Sequence, residues 1–313
     1  MADTAVAGRS SPPRRVGDRV FKGLATSAAL VILAALAGVA IFLTYEGVPA
    51  FTAAENEIPG GSGIIAYIWP LAFGTLLAAA MALIIATPLS IGVALFISHY
   101  APRQLAAPLG YLIDLLAAIP SVVYGLWGIS FLAPRLVPLY SWLEIHLGFL
   151  PLFAGPTSVT GRTIFTVAVV LAVMILPIIT AICREIFLQV PRLHEEAALA
   201  LGATRWEMIR MAVFPYARSG MVSAAMLGLG RALGETMAVV MVLSASGVVT
   251  FNLISSVNPS TIAANIALQF PEATGIKVNV LIASGLVLFV ITFAVNFAAR
   301  AVVGRRKEYS GAN

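Results

Sequence analysis

Residues 219–243 read SGMVSAAMLGLGRALGETMAVVMVL, and Arg231 and Glu235 are the only charged side chains in that stretch. An apolar segment of this length crosses a bilayer as a helix. A charged side chain at mid-bilayer costs about 2.5–3.5 kcal/mol on insertion scales, so it needs a partner, a watery cavity or a task. Four residues apart on a helix, the cation and the anion share one face. Arg231 lies twelve residues into the run, about 18 Å from its start and near mid-membrane. The stretch predicts a membrane helix that borders a path for something polar.

The rest of the chain agrees. It is 60% hydrophobic and 11% charged over 313 residues, with mean hydropathy +0.96, where soluble domains carry about 25% charged residues. This excludes a soluble enzyme and leaves too little polar sequence for a separate soluble domain. The prediction is an all-α integral membrane protein with six transmembrane helices. The first is Gly23–Tyr45, whose 23 uncharged residues reach about 34 Å. A cleaved signal peptide is the alternative, but its apolar core would be roughly 7–15 residues. The second lies within Ile58–Ser98, with helix starting near Trp69-Pro70 and a kink at Pro88. The third covers about 105–133, with Asp114 near its start and Pro120 inside it. The fourth is Thr163–Cys183, the fifth 219–243 and the sixth Val278–Ala299. Between them, 134–162 reads as a long loop, 184–218 as a polar loop, and 244–277 as a Ser/Asn/Pro loop that can dip back into the protein.

Six spans put both termini on one side. Fifteen of the 19 basic residues then fall on that side: those of the two tails, Arg103, and the five arginines of 184–218. Arg135, Arg162 and Lys277 fall opposite, and Arg231 is buried. The positive-inside rule makes the first side cytoplasmic. The expected organisation is a basic tail over 1–19, a transmembrane domain over 20–303 and a short tail over 304–313, both tails cytoplasmic, in the cell (inner or plasma) membrane.

Other chemistries lack residues. Cys183 is the only cysteine, and His99, His146 and His194 are scattered and read as surface or interface residues, so no metal site is expected. Lys22, Lys277 and Lys307 are the only lysines, and none precedes Ser or Thr, so no phosphate-binding loop for ATP is present. No Gly-x-Ser-x-Gly or His-Glu-x-x-His run occurs, so no catalytic residue is expected.

The 184–218 loop carries five Arg and four Glu and is nearly neutral, unlike a lipid-headgroup patch. Pro191 suits a helix start, Glu195–Leu201 is strong helix former, and Gly202 suits its end. Thr204-Arg-Trp-Glu207 fits a capping box that starts a second helix, and Pro215 should stop it. Two short helices with a small-residue face (Ala197, Ala198, Gly202) would form a knob suited to close approach by a partner. An amphipathic linker is the plainer reading.

Glu196-Ala197-Ala198, then Gly202, then Pro215 resembles the EAA loop of ABC-importer permeases, although Ala212 and Phe214 stand where that family has Ile and Leu. The resemblance implies a coupling helix that fits a groove on a separate ATPase subunit, with Glu196, Ala197, Ala198, Gly202 and Arg205 at the contact. Ala118-Ile-Pro-Ser-Val-Val-Tyr-Gly-Leu-Trp-Gly128 and Gly230-Arg-Ala-Leu-Gly-Glu-Thr-Met-Ala238 resemble the phosphate-specific permeases, the C-type (PstC) more than the A-type. By resemblance, the fold is the type I, MetI-like permease bundle. The partners are a homologous A-type permease, two ATPase copies and an extracytoplasmic phosphate-binding protein. ATP is bound by the partner and no cofactor by this chain.

Arginine offers five N–H donors in a fork that matches phosphate oxygens. Arg231, Glu235, Ser121 and Thr236 are the expected pathway residues, with Glu235 neutralising Arg231 when no substrate is present. A structural ion pair between spans is the alternative for Arg231 and Glu235. Asp114 reads as structural. Pro120-Ser121 can open its helix and free a carbonyl, and Gly228, Gly230 and Gly234 form a packing face. A permease for sulfate or molybdate, an ion-coupled secondary transporter and a non-transporting scaffold are the rival functions.

Overall fold

A computed structural model describes residues 16–307 and is helical throughout its long elements. The helices are α1 (Val16–Thr52), α2 (Gly63–Leu95), α3 (Arg103–Ala117), α4 (Ser121–Leu147) and α5 (Ile164–Leu188). They continue with α6 (Arg192–Ala200), α7 (205–233), α8 (Met237–Val242), α9 (Ile262–Gln269) and α10 (Ile276–Lys307). Helices α1, α2, α4, α5 and α10 are long and apolar enough to cross a membrane. The fifth predicted span, 219–243, is α7 with α8, broken at residues 234–236. The predicted tails overlap the ends of α1 and α10, so 16–19 and 304–307 are helical. The remainder of both tails lies outside the described residues.

The centre is α2 against α5. Ala78, Ala82, Ala86, Ser90 and Ala94 recur every four residues along α2, and each is at most 1% exposed. This flat stripe receives the large buried side chains Leu171, Met174, Ile175 and Ile179 of α5. Lipid tails are as apolar as leucine, so close packing and hydrogen bonds rather than water exclusion hold such helices together. Ser90 adds a hydrogen bond from its hydroxyl to the Leu176 carbonyl (3.1 Å). Helix α1 packs on α10 near Gly47, where an added Cβ would sit 3.3 Å from Ala283 Cα, and Asn279 donates to the Glu46 carbonyl (2.7 Å).

Several predicted boundaries move. Helix α2 starts at Gly63, not near Trp69, and runs through Pro70 and Pro88. The third predicted span is two helices. Pro120 adopts an extended backbone (φ −58°, ψ 140°) that ends α3 and starts α4. Helix α4 then consumes much of the predicted 134–162 loop, ending at Leu147. A π-turn over Gly128–Leu132 comes just before Pro134, and such a widened turn accommodates a residue with no N–H. The far half of α4 is held by Tyr140, which is fully buried and whose hydroxyl lies 2.6 Å from that of Thr166. Pro215 likewise does not stop its helix: a π-turn over Ile209–Val213 precedes it, and α7 continues to Leu233.

The 244–277 segment does return into the protein. Ile254 and Asn258 are fully buried. Asn258 accepts from the Ile164 N–H (2.9 Å) and donates to the carbonyls of Arg162, Ser244 and Ser255 (3.2, 3.1 and 3.1 Å). Across the bundle, the Thr75 hydroxyl accepts from the Ile262 N–H (2.9 Å). A Cβ at Gly74 would collide with the Ser260 carbonyl, so α2 needs glycine there to let the segment in.

Candidate functional site: a mid-bundle arginine and the knob that leads to it

One end of the bundle carries residues 189–213 and is called the near end; the 244–261 segment marks the far end. The near-end knob is built as its caps dictate. Pro191 is the N-cap of α6, and Gly202 follows it with φ +84°, a backbone that L side chains rarely adopt. The Thr204–Glu207 capping box is complete. The Thr204 N–H and hydroxyl both donate to Glu207 Oε2 (2.7 and 2.8 Å), and the hydroxyl accepts from the Glu207 N–H (3.3 Å).

The Thr204 N–H, and then its hydroxyl, hold the exposed Glu207 carboxyl below its ordinary pKa. A depressed carboxylate pKa contributes stability above the unfolded value, about 4.3, and loses it as pH falls through the folded value. The start of α7 is therefore expected to loosen below about pH 4. Amide exchange at Glu207 and Met208 should accelerate there relative to their intrinsic rates. Glu207→Gln should show that looser state at neutral pH, with the acid-induced change gone.

Glu196, Ala197, Gly202 and Arg205 are exposed on the knob, together with Leu193, Leu201 and Trp206. Ala198 departs from the predicted outward face: it is 9% exposed and packs inward. His99, read as a surface or interface residue, is mostly buried, and its Nε2 lies 3.3 Å from Glu195 Oε1. This contact fastens α6 to the π-turn (Phe96–Tyr100) that ends α2. Asp114, read as structural, lies 3.7 Å from Arg184, whose guanidinium lies over Gly110 and ties α3 to the end of α5.

The two motif runs meet in mid-bundle. A Cβ on Gly125 would come within 3.0 Å of Ala238 Cα and Met241 Sδ, and one on Gly128 would press on Val170 and Val242. The Tyr-Gly-Leu-Trp-Gly run of α4 and the Thr-Met-Ala run of α8 thus pack at glycine distance. Pro120 cannot supply the N–H that the Leu116 carbonyl would accept in a continuous helix, but that carbonyl is not left free: it accepts from the Ile119 N–H (3.3 Å) and from the Tyr124 hydroxyl (2.9 Å). Ser121, half-buried, begins α4 immediately after that break.

Arg231 and Glu235 do not share a helix face. Helix α7 ends at Leu233 with Gly234 as its C-cap. Glu235, 8% exposed, turns its Oε1 to accept from the Ala238 N–H (3.1 Å). The carboxylate caps the first turn of α8, where negative charge is favoured. Thr236 donates its hydroxyl to the Gly234 carbonyl (3.2 Å). Among the described residues the contacts between basic and carboxylate side chains are His99–Glu195, Arg184–Asp114 and Arg184–Glu185, so Arg231 has no carboxylate partner there. It lines a cleft of about 700 Å³ between α5, α7 and α10, with Ser223, Asn296 and Arg300 as further polar walls. Asn296 and Arg300 escaped sequence reading because they lie in the last span and tail, far along the chain from Arg231.

Comparison with known proteins follows this geometry. Residues 86–308 match the family described as binding-protein-dependent transport system inner membrane component. The chain is 46% identical over 304 residues to the phosphate transport system permease protein PstC 2 of Mycobacterium tuberculosis, with 93% of each chain covered. It is 39% identical over 310 residues to the phosphate transport system permease protein PstC of Mesorhizobium japonicum, covering 94% of this chain and 92% of that one. In fold it is similar to a chain of the MetNI methionine ABC transporter (TM-score 0.51, 16% identity, 77% and 95% covered). It is also similar to a chain of a bacterial ABC transporter involved in the import of the acidic polysaccharide alginate (TM-score 0.54, 16% identity, 91% and 99% covered).

Proposed function

The chain belongs to the binding-protein-dependent transport system inner membrane components, among the PstC phosphate permeases and with the MetI-like bundle of type I ABC importer permeases, and from that premise we propose that it is a translocating subunit of an ATP-driven importer of inorganic phosphate. It is a multi-pass membrane transport subunit and not an enzyme. In this reading it forms the path with a homologous A-type permease, receives phosphate from an extracytoplasmic binding protein, and has two ATPase copies docked at its near end. Both termini lie in the cytoplasm, ATP stays on the partner, and no cofactor is bound here.

The observation that carries the reading is the junction of the two motif runs beside a guanidinium that has no carboxylate partner among the described residues and lines a cleft in the membrane domain. Phosphate carries one to two negative charges at neutral pH, and a guanidinium meets its oxygens with charge-assisted hydrogen bonds. Arg231 is the pathway donor. Glu235 and Thr236 sit at the 234–236 break that follows it, Ser121 begins α4 after the Pro120 break, and all three are assigned to the same path. Glu235 is close enough in sequence to weaken anion binding, and an importer must release its cargo.

Coupling uses helix α7 as a continuous rod. From the exposed capping box at Thr204 to Leu233 it runs roughly 43 Å, so its two ends are the knob and the Arg231 break. Glu196, Ala197, Ala198, Gly202 and Arg205 belong to the ATPase-facing element, with Ala198 packed beneath it. The His99–Glu195 contact passes any tilt of α6 to α2 as well.

The test is uptake of labelled phosphate into vesicles holding the assembled complex. Uptake should require ATP and the binding protein. Unlabelled phosphate should compete, while sulfate and molybdate at tenfold excess should change uptake by less than about twofold. Uptake that follows an ion gradient without ATP would overturn the reading.

A further inference from the structure

Arg162 is the residue just before the Thr163 N-cap of α5, at the far end of the bundle. Its main chain is fixed: the carbonyl accepts from Asn258 Nδ2 (3.2 Å) and from the Ser244 N–H (3.4 Å). Its side chain reaches the last turn of α8, where Nη2 lies 3.4 Å from the carbonyls of Met241 and Leu243. Those contacts are long for N–H···O bonds, which cluster at 2.7–3.2 Å. Nε is buried and has no hydrogen-bond partner among the described residues. No carboxylate of the described residues pairs with this guanidinium.

The donors around it are already used. The N–H groups of Ile164, Phe165 and Thr166 bond to Asn258, Leu253 and Thr163. Unmet donor capacity and uncompensated positive charge therefore coincide on Arg162. A guanidinium carries five N–H groups, and here neutral carbonyls engage one nitrogen weakly. Arg162 is half-buried, and a partly buried charge without a counter-charge favours an anion beside it.

Its position along the bundle gives this a direction. Helix α8 has six residues and is about 9 Å long. Glu235 and Thr236 lie at its start, just beyond the Arg231 turn, and Arg162 lies at its other end. Two cations thus bracket one short helix, and that helix packs on the glycines of α4.

We propose that Arg162 is a second anion station, which receives a tetrahedral oxyanion at the far end of α8 before it reaches Arg231. This rests on the reading of the chain as a phosphate permease. A step between two weakly held sites lets an anion move without a single deep trap. The competing role is a plain helix cap, in which Arg162 serves only the α8 carbonyls.

The two roles separate by substitution. Arg162→Gln keeps an N–H donor for the carbonyls and removes the charge; Arg162→Lys keeps the charge and loses the fork. Uptake of labelled inorganic phosphate is measured in vesicles against phosphate concentration and normalised to the complex present. The expected result is a KM at least tenfold higher for Arg162→Gln and within about threefold of wild type for Arg162→Lys. A wild-type KM in Arg162→Gln overturns the station, and so does equal impairment of the two variants. Wild-type vesicles are first compared with phosphate, sulfate and molybdate. If they carry a different oxyanion, the phosphate reading fails, and the Arg162 variants are judged with the anion carried.

Discussion

Replacing Arg231 with glutamine is expected to lower phosphate uptake by one to two orders of magnitude while the complex remains in the membrane. Hydrogen bonds to charged groups contribute about 1.5–3 kcal/mol each, and a factor of ten corresponds to about 1.4 kcal/mol. Assembly should survive because Arg231 makes no ion pair among the described residues and lines a cleft instead of filling the core. Glu235→Gln is the companion variant. It keeps an oxygen for the Ala238 N–H and so preserves the start of α8, while removing the negative charge. Phosphate should then bind more tightly and leave more slowly, with lower KM and lower maximal rate together. Normal uptake in Arg231→Gln, with the amount of complex measured separately, would remove Arg231 from the mechanism.

That expectation changed in kind between sequence and structure. The spacing of Arg231 and Glu235 suggested a neutralised pair on one helix. A four-residue interval has that meaning only if the helix continues, and Gly234 ends it. Nothing in the run Leu-Gly-Glu-Thr forbids helix; the break is settled by Glu235 finding the Ala238 N–H and Thr236 finding the Gly234 carbonyl. The residues were legible and their relation was not.

The same division runs through the fold. Uncharged runs such as 163–183 mark a span because the bilayer imposes length and composition, and α5 occupies Ile164–Leu188. The Pro191 start, the Gly202 end and the Thr204–Glu207 box were legible because caps are local chemistry. Pro215 misled because a π-turn precedes it: it stays inside a helix once an extra residue widens the turn, and Pro134 does the same. The Asn258 bonds to Ile164 and Arg162 and the His99–Glu195 contact were not legible, because the partners lie 94, 96 and 96 residues apart where the tertiary fold decides. Arg162 appeared in sequence only as one of three basic residues on the less basic side. Its unmet Nε is visible only in three dimensions.

The largest loss outside the membrane domain is expected from Gly202→Glu, which should cut ATP-driven uptake to below about a tenth of wild type. The φ of +84° at this position penalises any L residue by roughly 1–2 kcal/mol. A new carboxylate just past the end of α6 adds an unfavourable interaction with the helix dipole. Neither effect reaches the bundle, since Gly202 is exposed and an added Cβ would touch nothing within 4 Å. The damage is confined to the surface on which the ATPase is proposed to seat. Gly202→Ala carries the backbone penalty without the bulk or charge, so it should lose much less. Deleting 196–202 removes the knob altogether and should abolish uptake. All three proteins should reach the membrane in normal amounts, and the ATPase should co-purify with wild type and Gly202→Ala but not with the deletion. Wild-type uptake in Gly202→Glu, with the ATPase still bound, would sink the coupling role of this loop while leaving the Arg231 prediction untouched, because the two sites sit at opposite ends of α7.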